Sequence, residues 1–236
     1  MRIAILIIST GKYNILSESL IQSVKKYLGD SDIYLFTDEK RDDVKCFRTE
    51  NAEWPFVTLK RFETLREIYK SVSEYDLILY LDADMEIVSD IPDSIFELLS
   101  SRFIGVSHPA NFIHRDFWPV ETNNSSTAYL NPEKVGTYCQ GCLWGAASGS
   151  FEEMNETLRD NVQKDINSGL VAVWHDESHL NKFFFENSKD LKILSPSFAY
   201  PENWNLNVDR IIIHKDKNMI DYPRFQGIGN FGGSLE

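Results

Sequence analysis

Short apolar runs that end in polar residues recur along the chain and predict an α/β fold. The clearest run is residues 77–81, which is followed by Asp82 and Asp84 and is typical of a strand buried on both faces of a mostly parallel sheet. A second apolar run, at residues 3–8, predicts another core strand. Similar runs predict further strands at residues 33–36, 103–106, 170–174, 193–194 and 211–213.

Apolar residues at helical spacing predict helices between these strands. The helices are expected at residues 16–28, 59–69, 91–99 and 151–165, with a last one running through residues 180–184.

Two stretches without helical or strand periodicity predict loops. Residues 111–132 are aromatic and polar, and their length is typical of a binding loop rather than a connector. Residues 138–150 are rich in glycine and predict a tight loop whose backbone approaches a ligand or a neighbouring strand. No repeat or low-complexity tract interrupts the pattern, so residues 1–236 are expected to form one continuous domain.

Composition and charge narrow the possible functions. The 24 basic and 36 acidic residues give a net charge of −12, which argues against a nucleic-acid partner. An anionic substrate would then need a cation or local basic residues. The first apolar run is too short for a signal peptide or a membrane span, and this predicts a soluble, cytoplasmic protein.

The cysteines offer a weak redox or zinc motif. Cys139 and Cys142 form a C-x-x-C sequence, and Cys46 makes the total odd. A tetrahedral zinc site needs further ligands at matching spacing, and a thioredoxin-like motif should open a helix. We therefore expect neither a zinc site nor a redox site here.

Asp82 and Asp84 are the strongest candidates for chemistry. Ligands of open α/β sheets bind beyond the carboxyl ends of the strands, which is where these residues fall. Two neighbouring carboxylates favour a hard cation such as Mn²⁺ or Mg²⁺, which takes other ligands from substrate phosphates. Asp30 and Asp32 have the same D-x-D spacing but lie in a helix-to-strand turn. The buried strand before Asp82 is therefore what distinguishes the second pair.

Other polar candidates have competing structural explanations. For Lys60 and Arg61 an exposed helix face is favoured over the alternative that one of them contacts the diphosphate or neutralises the acidic centre. His108 follows a predicted strand and could bind a ligand or close a turn. His175 and His179 have a spacing that could bind zinc, but the start of a helix explains them better, because the acidic residues between them suit the helix dipole.

Several motifs together resemble glycosyltransferase family 6, which includes the blood-group A and B transferases. Residues 172–182, with Trp174-His175-Asp176-Glu177 at their centre, are similar to its most characteristic segment. Asp82-Ala83-Asp84 resembles its metal-binding D-x-D, and Ser107-His108-Pro109 resembles its acceptor-side motif. Trp54 with Lys60-Arg61 resembles a further family element, so the similarity spans nearly the whole chain.

The resemblance implies a GT-A fold and retaining transfer of galactose, N-acetylgalactosamine or a related hexose from a UDP-sugar donor to a glycan acceptor in α-1,3 linkage. Residues 1–110 would form the nucleotide-sugar half and residues 111–236 the acceptor half. By position it implies uridine contacts at Ile8, Ser9, Thr10 and Tyr13 and a diphosphate contact at Lys215 or Lys217. It implies Mn²⁺ or Mg²⁺ ligands at Asp82 and Asp84, and donor-sugar contacts at Arg61, Gln140, Gly141, Cys142 and Asp176. It further implies a catalytic carboxylate at Glu177 and acceptor contacts at His108, Trp174 and His175.

Departures from the family pattern leave alternatives open. Gln140 and Cys142 stand where family members usually carry small residues or histidine, so the sugar of the donor is not fixed by the resemblance. Many bacterial relatives have Asn-x-Asn in place of D-x-D, and the two aspartates of this chain therefore predict metal dependence. A UDP-sugar hydrolase is the alternative enzyme, and a non-catalytic glycan-binding or sugar-nucleotide-binding protein is the alternative class.

Overall fold

The computed structural model describes residues 1–92, 101–113 and 118–217, which form the predicted α/β fold around a mixed sheet. The strands are β1 (Ile3–Ile8), β2 (Asp32–Thr37), β3 (Lys45–Arg48), β4 (Leu77–Leu81), β5 (Met85–Ile87), β6 (Phe103–Ser107), β7 (Cys139–Ala147), β8 (Leu191–Leu194), β9 (Tyr200–Pro201) and β10 (Ile212–His214).

In the described part of the chain, three longer α-helices and three short ones accompany the strands. The α-helices are α1 (Asn14–Tyr27), α2 (Phe56–Leu59), α3 (Arg61–Thr64), α4 (Tyr69–Val72), α5 (Ser148–Asn167) and α6 (His175–Glu186). Single 3₁₀ turns lie at Gly11–Tyr13, Leu65–Ile68, Pro109–Phe112, Pro132–Lys134 and Pro196–Phe198. Among the described residues, no helix is both long and apolar enough to cross a membrane.

The main sheet has seven strands in the order β3-β2-β1-β4-β7-β6-β8. Neighbouring strands from β3 to β4 are parallel, whereas β7 runs antiparallel to both β4 and β6, and β8 is parallel to β6. Because β1 and β4 are parallel neighbours, their carboxyl ends meet at one edge. A second sheet has the strand order β5-β10-β9. Its strand β5 begins directly after Asp84, so it follows the carboxyl end of β4 closely along the chain.

The central strands are buried on both faces, as their apolar runs predict. Leu6 and Tyr80 face one hydrophobic core, and Ile5 and Leu81 face the other. Alternate residues of a strand point to opposite faces, so a continuous apolar run serves both cores at once.

The predicted tight loop at residues 138–150 is wrong, because most of this segment is the central strand β7. Its glycines reflect close packing between strands. A Cβ atom at Gly145 would lie 2.7 Å from Leu79 Cδ2 and closer still to the carbonyl oxygen of Ile78. The same strand places Cys139 in one core and Cys142 in the other, so the two thiols lie on opposite faces of the sheet.

The predicted strand at residues 170–174 is also wrong. These residues form an irregular segment that turns into α6, and Val171 and Val173 are half exposed. The backbone N–H of Val173 donates to Glu121 Oε2 at 2.7 Å instead of to a neighbouring strand. A short apolar run therefore did not distinguish a core strand from a surface turn.

The other predicted elements have mixed outcomes. The strands at residues 33–36 and 103–106 and the helices at 16–28 and 151–165 are confirmed, with shifted ends. Residues 59–69 are interrupted, because α2, α3, a 3₁₀ turn and α4 follow one another there. The helix predicted at residues 91–99 falls almost entirely outside the described residues, whereas β3, β5 and β9 were not predicted.

Candidate functional site

The candidate site lies where β4 ends. The backbone N–H of Asp82 donates to the carbonyl of Cys142 on β7 at 2.9 Å, which fixes the residues after the strand. Asp84 is almost fully buried, and its Oδ2 lies 2.6 Å from Lys217 Nζ and 3.1 Å from His214 Nε2. These two partners hold the pKa of Asp84 well below its usual range despite its burial.

Arg61 connects this edge to the rest of the site. Although it begins the short helix α3, its side chain is buried, and Nη2 donates to Asp82 Oδ1 at 2.9 Å. Nη1 lies 2.8 Å from Asp176 Oδ2 and donates to the carbonyl of Gly141 at 2.9 Å. The exposed helix face predicted from pattern is therefore right for Lys60 and wrong for Arg61.

Tyr80 supports both members of the Arg61–Asp82 pair. Its hydroxyl donates to Asp82 Oδ1 at 2.9 Å, and the guanidinium carbon of Arg61 lies 4.4 Å from the centre of its ring. The apolar pattern of residues 77–81 assigns Tyr80 only to the buried strand. Its position directly before Leu81 and Asp82 was the available signal.

Asp176 and Glu177 lie in the first turn of α6, where the helix dipole favours acidic side chains. Burial raises the pKa of Asp176 to about 6, and the neighbouring Arg61 opposes that rise. The helix begins at His175, as expected from the acidic residues that follow it.

Glu177 is held by two hydrogen bonds. The Tyr138 hydroxyl donates to Oε1 and the backbone N–H of Gly141 donates to Oε2, each at 2.7 Å. Burial raises the pKa of Glu177, whereas both donors favour its ionised form and oppose the rise. A Cβ atom at position 141 would lie 3.4 Å from this side chain, which is an ordinary van der Waals contact. Tyr138 was missed because its segment was interpreted as a loop.

The residues expected to contact uridine follow β1 and lie at the same edge. Ser9 and Thr10 are buried, and the Thr10 hydroxyl donates to Asn51 Oδ1 at 3.0 Å. Burial raises the pKa of Tyr13, whose ring centre lies 5.2 Å from Lys217 Nζ. This contact links the segment that starts at Ile8, the last residue of β1, with the cations around Asp84.

Lys217, and not Lys215, brings an ammonium group to Asp84. Lys215 Nζ lies 3.1 Å from Glu86 Oε2 and donates to the Ser19 hydroxyl at 3.1 Å. Its backbone N–H does reach the carbonyl of Asp84 at 2.9 Å. The ammonium group of Lys215 therefore lies against Glu86 and Ser19, and its contact with a diphosphate stays a prediction.

The residues expected to bind the acceptor lie around Glu177 in two groups. His108 Nδ1 accepts the N–H of Ala110 at 3.1 Å, which closes the turn after β6, and burial lowers the pKa of His108 to about 4. Trp174 is 40% exposed beside His175, whose ring centre lies 4.7 Å from that of Trp54. The structure thus shows His108 closing the turn, as one of the two interpretations predicted, and a contact between His108 and a ligand stays a prediction.

The carboxylates fit a hard divalent cation as a two-residue site. Among the described residues, hydrogen bonds and ion pairs to Asp82 end on Oδ1 and those to Asp84 end on Oδ2, which leaves one oxygen of each side chain available. No cluster of three or more His, Cys, Asp or Glu side chains suited to a metal occurs in the described ranges. A cation here would need ligands from water or a substrate.

Comparison with known proteins identifies the family. The sequence profile of glycosyltransferase family 6 matches residues 3–219. The chain is 32% identical over 228 residues to the O-antigen biosynthesis glycosyltransferase WbnI of Escherichia coli, which covers 92% of this chain and 95% of that protein. It is 23% identical over 220 residues to the human globoside alpha-1,3-N-acetylgalactosaminyltransferase 1, covering 86% of this chain and 62% of that protein.

A rat relative adds a shorter match. The histo-blood group ABO system transferase 2 of Rattus norvegicus is 27% identical over 154 residues, which is 64% of this chain and 45% of that protein. The match to the family profile extends over nearly all of the described residues, including every element that builds the candidate site. The chain belongs to glycosyltransferase family 6, and its α/β structure is of the GT-A type.

Proposed function

We propose that this glycosyltransferase transfers galactose, N-acetylgalactosamine or a related hexose from a UDP-sugar to a glycan acceptor, with retention and in α-1,3 linkage, using a divalent metal ion. Family membership supports the reaction class. The relative named for alpha-1,3-N-acetylgalactosaminyl transfer supports this linkage and N-acetylgalactosamine as the sugar.

The observation that carries the proposal is the bonded unit formed by Arg61, Gly141 and Glu177. Arg61 binds Asp82 and the carbonyl of Gly141, while the N–H of Gly141 binds Glu177. A predicted metal ligand and a predicted catalytic carboxylate are thus connected through Arg61 and one residue of β7, Gly141. Such a unit suits a reaction whose leaving diphosphate and reacting sugar carbon must be held at a fixed separation.

Asp82 and Asp84 would hold the metal ion, assisted by substrate phosphates. When bound, Mn²⁺ or Mg²⁺ would act as a Lewis acid and stabilise the charge that develops on the departing β-phosphate. Lys217 lies beside Asp84 and adds positive charge in the same region. Arg61 keeps the Asp82 side chain in place, because the same guanidinium is also bound to Asp176 and Gly141.

Glu177 would act on the anomeric carbon. Retention requires either a carboxylate nucleophile on the face opposite the leaving group or substitution on the same face, in which the leaving phosphate accepts the proton of the acceptor hydroxyl. In both cases an ionised carboxylate stabilises positive charge on the sugar. The hydrogen bonds from Tyr138 and Gly141 keep Glu177 oriented and favour that ionised form.

A donor and acceptor screen tests the proposal. UDP-Gal, UDP-GalNAc, UDP-Glc and UDP-GlcNAc are each incubated with a glycan panel and Mn²⁺, and both UDP release and glycosylated product are measured. We expect a product whose anomeric proton coupling in NMR identifies an α linkage. UDP release without any glycosylated product would instead indicate a UDP-sugar hydrolase, and no release from any donor would contradict the proposal.

A further inference from the structure

Within the described chain, Asn181 makes three hydrogen bonds that the proposed reaction leaves without a role. It lies on α6, one turn after Glu177, and its side chain is buried. Its Oδ1 accepts the backbone N–H of Cys139 at 2.8 Å, and its Nδ2 donates to the carbonyl of Cys139 at 2.9 Å. Nδ2 also donates to the carbonyl of Glu177 at 2.9 Å. One buried amide therefore joins β7 to the helix turn that carries Glu177.

The orientation of the Asn181 amide follows from its partners. The N–H of Cys139 can only donate and the two carbonyls can only accept, so each partner matches one end of the amide. Exchanging Oδ1 and Nδ2 would bring two donors together and leave both carbonyls facing an oxygen. None of these groups titrates, so the contact does not depend on a protonation state.

Cys139 lies where the pairing of β7 with its neighbouring strands is interrupted. The ladder between β4 and β7 covers residues 143–147 of β7 and therefore ends before Cys139. On the other side of β7, the register with β6 shifts between Gly105 and Val106. Asn181 supplies the acceptor and the donor that a neighbouring strand would otherwise offer to the backbone of Cys139.

The segment held in this way supplies both hydrogen bonds of the Glu177 carboxylate. Tyr138 directly precedes Cys139 and donates to Oε1, whereas Gly141 follows Cys139 by two residues and donates to Oε2. Asn181 binds the backbone between these two donors and also binds the carbonyl of Glu177. The separation of both donors from the carboxylate therefore depends on Asn181.

We propose that Asn181 is a positioning residue for the reaction, which holds residues 138–141 against α6 so that Tyr138 and Gly141 keep Glu177 oriented. The inference rests on the proposed function, because it takes Glu177 as the catalytic carboxylate. Asn181 acts through the backbone of Cys139 and Glu177, so its loss should disturb the reaction without removing any group predicted to touch a substrate.

Asn181→Leu tests this proposal, because it keeps a similar volume and removes all three hydrogen bonds. We expect kcat to fall by about tenfold or more, since the carboxylate is no longer held in its reacting orientation. The dissociation constant of UDP should change by less than about twofold. In a Glu177→Gln background, the same substitution should lower kcat by less than about twofold, because the group that Asn181 positions is already altered.

Asn181→Ser is the second variant, in case leucine prevents folding. A serine hydroxyl in a helix can donate to the carbonyl four residues earlier, which here is that of Glu177, but it does not replace the paired bonds to Cys139. The helix therefore keeps its own bond while the link to β7 is lost. We expect kcat to fall as it does in Asn181→Leu.

Asn155→Leu is the matched control. Asn155 is another buried amide, on α5, and its Nδ2 donates to the carbonyl of Phe62 and to the Tyr69 hydroxyl. Its replacement should lower the free energy of unfolding to a similar extent but leave kcat within about twofold of the unaltered enzyme. A loss of stability is thereby separated from a loss of orientation at Glu177.

An unchanged kcat in both Asn181 variants, an equal loss of kcat in Asn155→Leu, or an undiminished effect in the Glu177→Gln background would overturn the proposal. Failure of the unaltered protein to turn over any UDP-hexose would refute the proposed function instead. Hydrogen exchange of the Gly141 amide, measured by NMR, needs no turnover and then decides the inference. The Asn181 variants should speed this exchange about tenfold more than Asn155→Leu does, and equal rates would overturn the inference.

Discussion

Arg61 Nη1 lies 2.8 Å from Asp176 Oδ2, and both side chains are buried. The pair joins the short helix α3 to the first turn of α6. Because Arg61 also binds Asp82 and the carbonyl of Gly141, one guanidinium connects four elements of the site. The separation between the end of β4 and the start of α6 therefore depends on this side chain.

Replacing Arg61 should weaken both the fold and the activity. Arg61→Met leaves the buried carboxylate of Asp176 and the partly exposed carboxylate of Asp82 without their cation, which should lower the free energy of unfolding by about 3 kcal/mol. Urea denaturation at pH 7.5 measures this loss. Arg61→Lys keeps a charge but cannot make the same three contacts, so it should retain more stability than activity.

Lys60→Met is the control for Arg61, because Lys60 is the exposed neighbour in sequence. It should change the free energy of unfolding by less than about 0.5 kcal/mol. Equal losses in Lys60→Met and Arg61→Met would contradict the structural role given to Arg61.

Glu177→Gln should reduce turnover far more than nucleotide binding. The loss of the negative charge removes stabilisation of the oxocarbenium-like state, for which we expect a decrease in kcat of about 100-fold or more. The dissociation constant of UDP, measured by calorimetry, should change little. Glu186→Gln, at the exposed end of the same helix, should leave both values unchanged, and a normal kcat for Glu177→Gln would exclude a direct role.

Metal dependence should require both aspartates after β4. Asp82→Asn or Asp84→Asn should abolish the stimulation of UDP release by Mn²⁺, because each substitution removes an anionic oxygen ligand. Asp30→Asn changes the exposed first aspartate of the D-x-D sequence that leads into β2 and should keep full stimulation. Full activity of the unaltered enzyme in EDTA would contradict a metal requirement.

Strands were predicted correctly where a run of apolar residues is also buried in the structure. Residues 3–8 and 77–81 are apolar throughout and lie at the centre of the sheet, so their residue types alone predict burial on both faces. Residues 138–150 failed for the opposite reason. Glycines such as Gly145 are there because neighbouring strands approach closely, and that approach is a property of the assembled sheet rather than of the local sequence.

The site was only partly predictable for a related reason. Asp82 and Asp84 could be singled out because charge follows an apolar run, whereas the role predicted for Glu177 came only from the family resemblance. Arg61 was misjudged from its pattern because α2 ends at Leu59 and a new short helix starts, which breaks the periodicity used to assign its face. Contacts such as Tyr138 with Glu177 join distant segments, and local patterns contain no information on them.

Tyr138→Phe should shift the pH dependence of turnover. The Tyr138 hydroxyl favours ionised Glu177, so its removal should raise the pKa of Glu177 further. Since the ionised carboxylate is the active form, the acidic limb of the kcat profile should move to higher pH by about one unit. Activity should approach that of the unaltered enzyme in alkaline buffer.

Tyr27→Phe provides the comparison for Tyr138, because its hydroxyl donates to the carbonyl of Val88 and does not touch Glu177. Its acidic limb should coincide with that of the unaltered enzyme. A uniform decrease in kcat for Tyr138→Phe, without any shift of the profile, would indicate a packing role only.

His179 should make the protein less stable in mild acid. Its ring is buried on α6, with Nδ1 3.4 Å from the Thr127 hydroxyl and Nε2 3.8 Å from Asp165 Oδ2. Burial lowers the pKa of His179 to about 4, while nearby Asp165 and Glu121 oppose this change. The folded protein therefore keeps this imidazole neutral at a pH where the unfolded chain already binds a proton.

The sign and size of this effect follow from the difference between the pKa of His179 in the folded protein and its pKa in the unfolded chain. Its contribution to stability is fully present above pH 6.5 and is lost as pH falls from 6.5 to about 4, by a total of about 3 kcal/mol. The free energy of unfolding, measured in urea across this range, should decrease less steeply for His179→Gln than for the unaltered protein. Lys182→Gln, one turn further along α6, should keep the original slope. Identical slopes for His179→Gln and the unaltered protein would show that His179 does not take up this proton on unfolding.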